Sequence, residues 1–380
     1  MAGITPKIAI IGAGPAGLML ASILHHSNIS CTLFERDSSA VARAQGGTLD
    51  IHEYSGQRAL DAAGLLDEFR TVMRQGGDAI RILTKNGTVL FEHNGEHEGV
   101  STEGEDGTDS KFVKGRPEID RPALKNLLIA SLLVDTIHWS SKVRSVTPVP
   151  DSQKWNIQLD DDSEPVTFDL VVGADGAWSR TRALLTEQQP RFTRGITALD
   201  VWCHNVDEAA PDVSRFVGPG SCFLFEKDRG LFFQRNGQGS KADARCLACV
   251  KMSTLTPPSP AFSVKRILLA MHEQPVLRVT LVGDSAHLMT PFAGVGVNVA
   301  MMDALELVRG IVDCFRMGNA DGEGLAVMLQ QYEKGMFARS GEEAAKTEAA
   351  MHLQFQEGGA EKMVDIIKSA GSNPEDIVFE

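Results

Sequence analysis

Two hydrophobic periods alternate along this chain. Residues 7 to 11 form a β-branched apolar run, followed by the turn Gly12-x-Gly14-x-x-Gly17 and a helical pattern reaching about His26. SCTLFER, residues 30 to 36, reads as a second strand ending in Glu35 and Arg36. FDLVVGADGAWSRTRALL, residues 168 to 185, reads as another strand, turn and helix. VLRVTLVGDSAHL, residues 276 to 288, is a third strand-to-loop unit, before a long helix beginning near Val297. Residues 55 to 76, 119 to 133 and 325 to 357 carry helical patterns, the second with Asp120 as N-cap and Pro122 in its first turn. Strand-like runs occupy GITALDVWCHNV, SCFLFEKDRGLFFQRN and DARCLACVKMS between about 190 and 255. AIRILTKNGTVLFE, residues 79 to 92, predicts a hairpin turning at Asn86-Gly87. The polar, acidic, glycine-rich residues 93 to 110 predict an exposed mobile loop.

Composition narrows the class. A chain of 380 residues suits two domains or one with an insertion, and 43% hydrophobic with 23% charged residues is ordinary for a globular protein. A net charge of -13 argues against a sequence-independent nucleic-acid binder, which needs a basic face. Cys246-Leu-Ala-Cys249 has CxxC spacing but lacks a second pair or nearby histidines, so its thiols read as small apolar strand residues and no metal is expected. The apolar run 8 to 24 is split by Gly-Ala-Gly-Pro, so no membrane anchor is expected. A reduced, cytoplasmic setting is the default without a secretory signal.

The glycines carry chemistry. Gly12 permits a tight turn, Gly14 lets the backbone approach a pyrophosphate, and Gly17 lets helix and strand pack closely. The helix start offers bare N–H groups to phosphate, and Glu35 stands where the ribose hydroxyls are received. Gly46-Gly47 marks a backbone passing close to a ligand. Asp284, Ser285 and His287 suggest an acid, nucleophile and base, but Ser285 lacks the GxSxG frame of a nucleophile turn. PFAGVGVN, residues 291 to 298, instead makes a second glycine-rich helix start. Two such starts fit a long dinucleotide held at both ends, such as FAD.

The chain resembles the FAD-dependent aromatic hydroxylases, the para-hydroxybenzoate hydroxylase-like monooxygenases, and within them the tetracycline-inactivating branch and related secondary-metabolite enzymes. IGAGPAGL with Glu35-Arg36, GADGAWSRTR at 173 to 182, and VGDSAHLMTPFAGVGVN at 282 to 298 carry the likeness, with RAQGGTLDIHEYSGQRAL at 43 to 60. The resemblance implies a Rossmann-like, glutathione reductase-type α/β domain with an inserted β-sheet substrate domain and a C-terminal helix. It implies FAD held by Gly12, Gly14, Gly17, Glu35, Arg36, Gly47 and Arg121, and Asp284 on the ribityl chain. Asp50 lies near the flavin, Arg43 contacts the nicotinamide coenzyme, and Pro291, Gly294, Gly296 and Asn298 belong to the loop that meets the isoalloxazine. The implied reaction uses NADPH or NADH and O2 to hydroxylate or epoxidise a small aromatic or polycyclic molecule through a flavin C4a-hydroperoxide, in a monomer. No protein residue is assigned as catalytic acid, base or nucleophile.

The expected FAD domain comprises 1–77, 111–185 and 276–325, the substrate domain 78–110 and 186–275, and a helical segment 326–380. Phe223, Phe225, Phe232 and Phe233 read equally as pocket wall or sheet core, and Trp202 and His204 as substrate-facing. The chain departs from its relatives between CLACVKMSTLTPP and VLRVTLVGDSAHL, where residues 259 to 275 are all that stands for a longer segment. This apparent internal deletion keeps two alternatives open: a flavin oxidase or dehydrogenase on the same fold, or an FAD-binding protein inactivated near 255–275.

Overall fold

The computed structural model describes residues 6–43, 46–95, 111–187, 195–237, 242–251, 278–318 and 322–369. The predicted acidic loop beyond residue 95 and the short interval at 259 to 275 lie outside them.

A five-stranded parallel sheet forms the base. Its order is β16 (Val279–Leu281), β11 (Leu170–Gly173), β1 (Ile8–Ile11), β2 (Cys31–Phe34) and β7 (Ile137–His138). β1 and β11 are buried along their whole length. This is why they read as unbroken apolar runs, since a central parallel strand is covered on both faces. α1 (Pro15–His26) and α7 (Gly296–Arg316) pack together over the sheet, and Leu18, Leu20, Leu24, Met301 and Leu305 are almost fully buried between them. A three-stranded antiparallel sheet, β8 (Val143–Pro148), β9 (Trp155–Leu159) and β10 (Val166–Phe168), adds to the same core.

The second layer is a six-stranded mixed sheet. Its order is β12 (Ile196–Cys203), β15 (Asp243–Lys251), β14 (Arg229–Asn236), β13 (Ser221–Glu226), β4 (Ile80–Leu83) and β5 (Val89–His93). Cys246 and Cys249 lie on β15 as free thiols, and no group of metal-ligating side chains occurs among the described residues. A two-stranded ribbon, β3 (Thr48–Asp50) with β6 (Glu118–Asp120), lies between the layers. Arg74 fastens it there: its side chain is only 4% exposed, meets Glu118 at 3.3 Å, and donates to the Pro219 carbonyl at 2.7 Å and to that of Arg235.

The chain closes with α8 (Gly322–Gln354) and α9 (Gly359–Ser369). Ala360, Met363 and Val364 of α9 cover Ile82 and Phe225, with Phe223 and Phe232 packed alongside. Phe233 lies on the opposite face against Phe216. The four phenylalanines therefore build sheet core on both faces. No described helix is long and apolar enough to cross a membrane.

Two expected helices differ. The pattern at 55 to 76 opens as a π turn, Glu53–Gln57, and continues as α2 (Arg58–Ala62) and α3 (Leu66–Val72). Gly64, at φ +69°, separates the last two. After β11 the expected helix is a turn with a single 3-10 segment, Arg182–Leu184. The Asp175 carboxylate causes this by taking the Arg180 and Thr181 amides, at 2.8 and 3.2 Å, that a helix would place on its own carbonyls.

Candidate functional site

The glycine turn after β1 is tight because the protein fills every direction but one. A Cβ on Gly12, at φ +107°, would lie 2.5 Å from the Ala174 carbonyl, and one on Gly17 2.0 Å from the Gly12 carbonyl. Around Gly14 nothing stands within 4 Å. Gly14 caps α1 without a side chain, Pro15 follows at the first helical position, and no acid occupies the first turn. The result is an open, positively polarised helix end. Glu35 is buried and accepts from the Ala13 amide at 2.7 Å and the Asp37 amide at 2.9 Å. It thus ties the end of β2 to the turn, with carboxylate lone pairs still free. Arg36 is exposed, and Arg43, half-exposed, pairs with Asp37 at 2.7 Å.

The segment after β16 forms a second tight turn, Gly283–Ser285. Gly283, at φ +60°, sits between Ala16 of α1 and Ala300 of α7, each 3.1 Å from where its Cβ would be. This close approach brings the two helix starts to one place. Ser285 is wholly buried, and its hydroxyl donates to the Gly173 and Val282 carbonyls, at 2.5 and 2.6 Å. The His287 ring turns to Asp303 of α7 at 2.5 Å. The acid, nucleophile and base that adjoin in sequence make no triad; Ser285 is a pin between β16 and β11.

Asp284 behaves otherwise. Its side chain reaches solvent, yet it is crowded enough that burial pushes its pKa up, against the lowering charges of His287, Arg121 and Arg182. Arg121 shares this condition: exposed, but with burial and the Arg245 charge pulling its pKa down and Asp284 opposing them. Exposed yet crowded, and near enough for their charges to act on each other, Asp284 and Arg121 mark the floor of a shallow cleft. Arg121 has no side-chain hydrogen bond or ion pair among the described residues. An unpaired guanidinium beside a carboxylate and an open helix end suits an anionic ligand that also carries hydroxyls.

Gly47 forms the cleft's other lip. At φ +97° it accepts the Arg121 amide at 3.1 Å, and a Cβ there would sit 2.5 Å from Arg245. Arg245 on β15 holds Asp200 through two 2.9 Å bonds and lies 5.5 Å from the Trp202 ring centroid. Trp202 in turn packs against Gly46. His204 falls just past β12, 77% exposed, stacked on Trp202 and paired with Asp243 at 3.0 Å.

The second helix start, that of α7, also lacks a side-chain cap and a first-turn acid. Pro291 and Gly294 are exposed, and Gly296 has no neighbour closer than 4.0 Å to a would-be Cβ. Gly294, at φ +72°, lies against Asp50, whose oxygens come within 3.1 Å of its Cβ position. Burial would raise the Asp50 pKa, but the His52 hydrogen bond at 3.0 Å and the His52 and Arg116 charges hold it below the usual range. Asn298 is spent on the protein: it donates to the Asp50 carbonyl at 2.9 Å and accepts from the His52 amide at 2.8 Å. From outside, α8 braces this loop, Thr347 receiving the Ala293 amide at 3.2 Å and Gln354 reaching the Phe292 carbonyl at 3.1 Å.

Some site residues escaped the sequence reading. Arg182, 1% exposed, donates to the Asp284 and Ser285 carbonyls at 3.3 and 3.0 Å, joining the two aspartate motifs. Asp303, an acid inside the apolar run AMMDALEL, was the available signal for a buried charge site. Nothing local marks Thr347 or Gln354, whose partners are more than fifty residues away.

Comparisons with known proteins agree with this geometry. A family model described as FAD binding domain matches residues 5–274 and 261–335, so the chain belongs to that family. Monooxygenase penA of Penicillium thymicola is 28% identical, covering 96% of this chain and 98% of the relative. That alignment runs over 445 residues, more than this chain's 380, so the relative carries stretches missing here. Among solved structures, Klebsiella pneumoniae HpxO complexed with FAD and uric acid matches with a TM-score of 0.69 at 16% identity, covering 98% of this chain and 94% of that one. The tetracycline destructase Tet(51) matches with a TM-score of 0.63 at 16% identity, over 99% of both chains.

Proposed function

We propose that this FAD-dependent monooxygenase takes electrons from NADPH or NADH and oxygen from O2 to hydroxylate or epoxidise a small aromatic, polyketide-like or alkaloid-like molecule. The carrying observation is the convergence of both uncapped helix starts on the cleft floored by Arg121 and Asp284, with Trp202 and Arg245 at its lip. FAD, when bound, supplies the activation of dioxygen. The chain's own groups do the rest. Gly14 and α1 receive the diphosphate, Arg121 adds a cation, and Glu35 offers its remaining lone pairs to the ribose. Asp284 accepts from the ribityl hydroxyls. Pro291 to Gly296 would border the ring, Asn298 fixes that border to Asp50, Arg36 would join Glu35 in holding FAD, and Arg43 stands outside for the nicotinamide coenzyme. Trp202 presents a planar face to an aromatic substrate.

The setting we infer is secondary metabolism or antibiotic inactivation, by a cytoplasmic monomer. The tetracycline destructase neighbour favours antibiotic inactivation. Mass spectrometry of products from a polycyclic substrate panel, run under labelled dioxygen, tests the reaction. One label per product is expected, and unlabelled products throughout would reject oxygen insertion.

A second reading has its own support. The family match breaks into two pieces that overlap at 261 to 274, and the curated relative is longer than this chain. A protein that has lost part of its substrate wall would bind FAD and consume no NAD(P)H with any substrate. Coenzyme consumption with the same panel separates the two.

A further inference from the structure

Beneath the Gly283–Asp284 turn lies a charged group that the cofactor does not touch. Asp303 of α7 is wholly buried, and three elements share its carboxylate. Oδ2 accepts from the Gly283 amide at 3.1 Å and meets the His287 Nε2 at 2.5 Å. Oδ1 accepts from Arg339 of α8 at 3.0 Å. Tyr332, two turns before Arg339 on the same face of α8, donates to the Leu281 carbonyl at 2.9 Å, so β16 and its turn are held from the same side twice. A buried charge is retained at this cost only when its partners are fixed. His287 is 2% exposed, and its other ring nitrogen has no partner among the described residues.

We propose that Asp303 is the positioning residue of the cofactor turn: by gripping the Gly283 amide, the His287 ring and the Arg339 guanidinium at once, it holds Asp284 in the orientation that receives the ribityl chain. The proposal rests on the FAD reading of the cleft. The bond to Asp303 is the Gly283 amide's only one among the described residues, and it fixes a turn that a φ of +60° leaves to glycine. Asp303 also makes α8 part of the site, since Arg339 pulls on the same carboxylate that orients the turn.

His287 supplies the readout. Burial works against its charged form, but the Asp303 charge and hydrogen bond, and then the Asp284 charge, raise its pKa above 6.5. The groups facing this ring are Asp284 on its own turn, Asp303 from α7, and Arg339 and Tyr332 from α8 around that carboxylate. A cationic His287 favours the ionised form of Asp284 and tightens the grip on Asp303; its loss as pH rises removes one of the charges that hold the turn, leaving Arg339 on Asp303 and Arg121 and Arg182 near Asp284. FAD affinity should fall on the alkaline side.

The test is the FAD dissociation constant, read by flavin fluorescence from pH 6 to 9, with the thermal midpoint of the FAD-free chain measured in parallel. Asp303→Asn should weaken FAD at least roughly tenfold, the scale of one lost charge-assisted hydrogen bond. His287→Gln should abolish the alkaline fall. Affinity unchanged in Asp303→Asn, or an alkaline fall that persists in His287→Gln, overturns the proposal. Should Asp303→Asn not fold, the pH profile of His287→Gln decides alone. Failure of the unsubstituted protein to bind FAD at any pH would instead overturn the reading beneath it.

Discussion

The two helix starts that meet at the cleft are made by opposite means. That of α1 is mostly local: Gly17 packs on Gly12, Glu35 ties turn to strand, all within 24 residues, and only Ala174 reaches in from afar to close on Gly12. That of α7 is assembled from afar. Asn298 reaches back to Asp50 and His52, Asp303 grips Gly283, and Thr347 and Gln354 brace the loop from α8. A phosphate needs only a rigid local cradle. A loop bordering a flavin ring must answer to the substrate sheet and the C-terminal helix as well. Phe292 makes that link, lying 5.7 Å from Phe232 of β14 and 5.4 Å from Phe355 beyond α8.

Substitutions can break this contrast, and the sharpest is at Gly17. A valine there drives its Cβ into the Gly12 carbonyl, backbone that cannot yield. We expect loss of FAD binding and destabilisation by about 3 kcal/mol or more, read by flavin fluorescence and denaturant unfolding. A chain that still binds FAD would show that the cradle is not rigid. Next is the cleft floor. Asp284→Ala should lower FAD affinity by roughly tenfold or more, while Ser285→Ala should leave affinity unchanged and lower stability by about 1 kcal/mol. Severe loss of activity in Ser285→Ala with FAD still bound would reopen the hydrolase reading. Asn298→Ala probes the remote assembly. It leaves the His52 amide without its acceptor, so the FAD-free chain should lose about 1–3 kcal/mol in thermal unfolding. Thr347→Val removes one hydroxyl from the brace, and we expect about 1 kcal/mol with a smaller drop in FAD affinity.

A further effect is one of pH, at the ribbon between the layers. Burial raises the Glu118 pKa from 4.5 to about 8, opposed by Arg74 and by the Thr48 hydrogen bond. The folded state therefore favours its protonated form. That stabilisation is complete below pH 4.5, declines as pH rises, and is gone above about 8. Glu118→Gln should flatten this part of the stability profile in thermal melts from pH 5 to 8.

What could be read without coordinates follows the same division. The first strand, glycine turn, helix and strand were legible because the glycine spacing and the acid at the end of the second strand lie within one short unit. The predicted helix after β11 failed because an Asp175 side chain outbid the helix for two amides, a contest that periodicity does not register. Residues 55 to 76 kept their helical period through Gly64, which nonetheless divides them. Arg182 stood in a quoted motif, but its partners lie 102 and 103 residues on. The phenylalanines of β13 and β14 could not be assigned to wall or core from sequence, because α9 covers three of them and Phe216 meets Phe233 on the other face.

The brace from α8 also has a consequence in time. A chain made from its N-terminus can complete the α1 cradle once Ala174 has emerged to pack on Gly12, whereas the loop at the other end acquires Thr347 and Gln354 only when nearly all of the protein has left the ribosome. A nascent chain can therefore offer the adenylate half of a dinucleotide its seat long before the ring half has one. Flavin capture is therefore expected late in biosynthesis, after the last long helix has emerged.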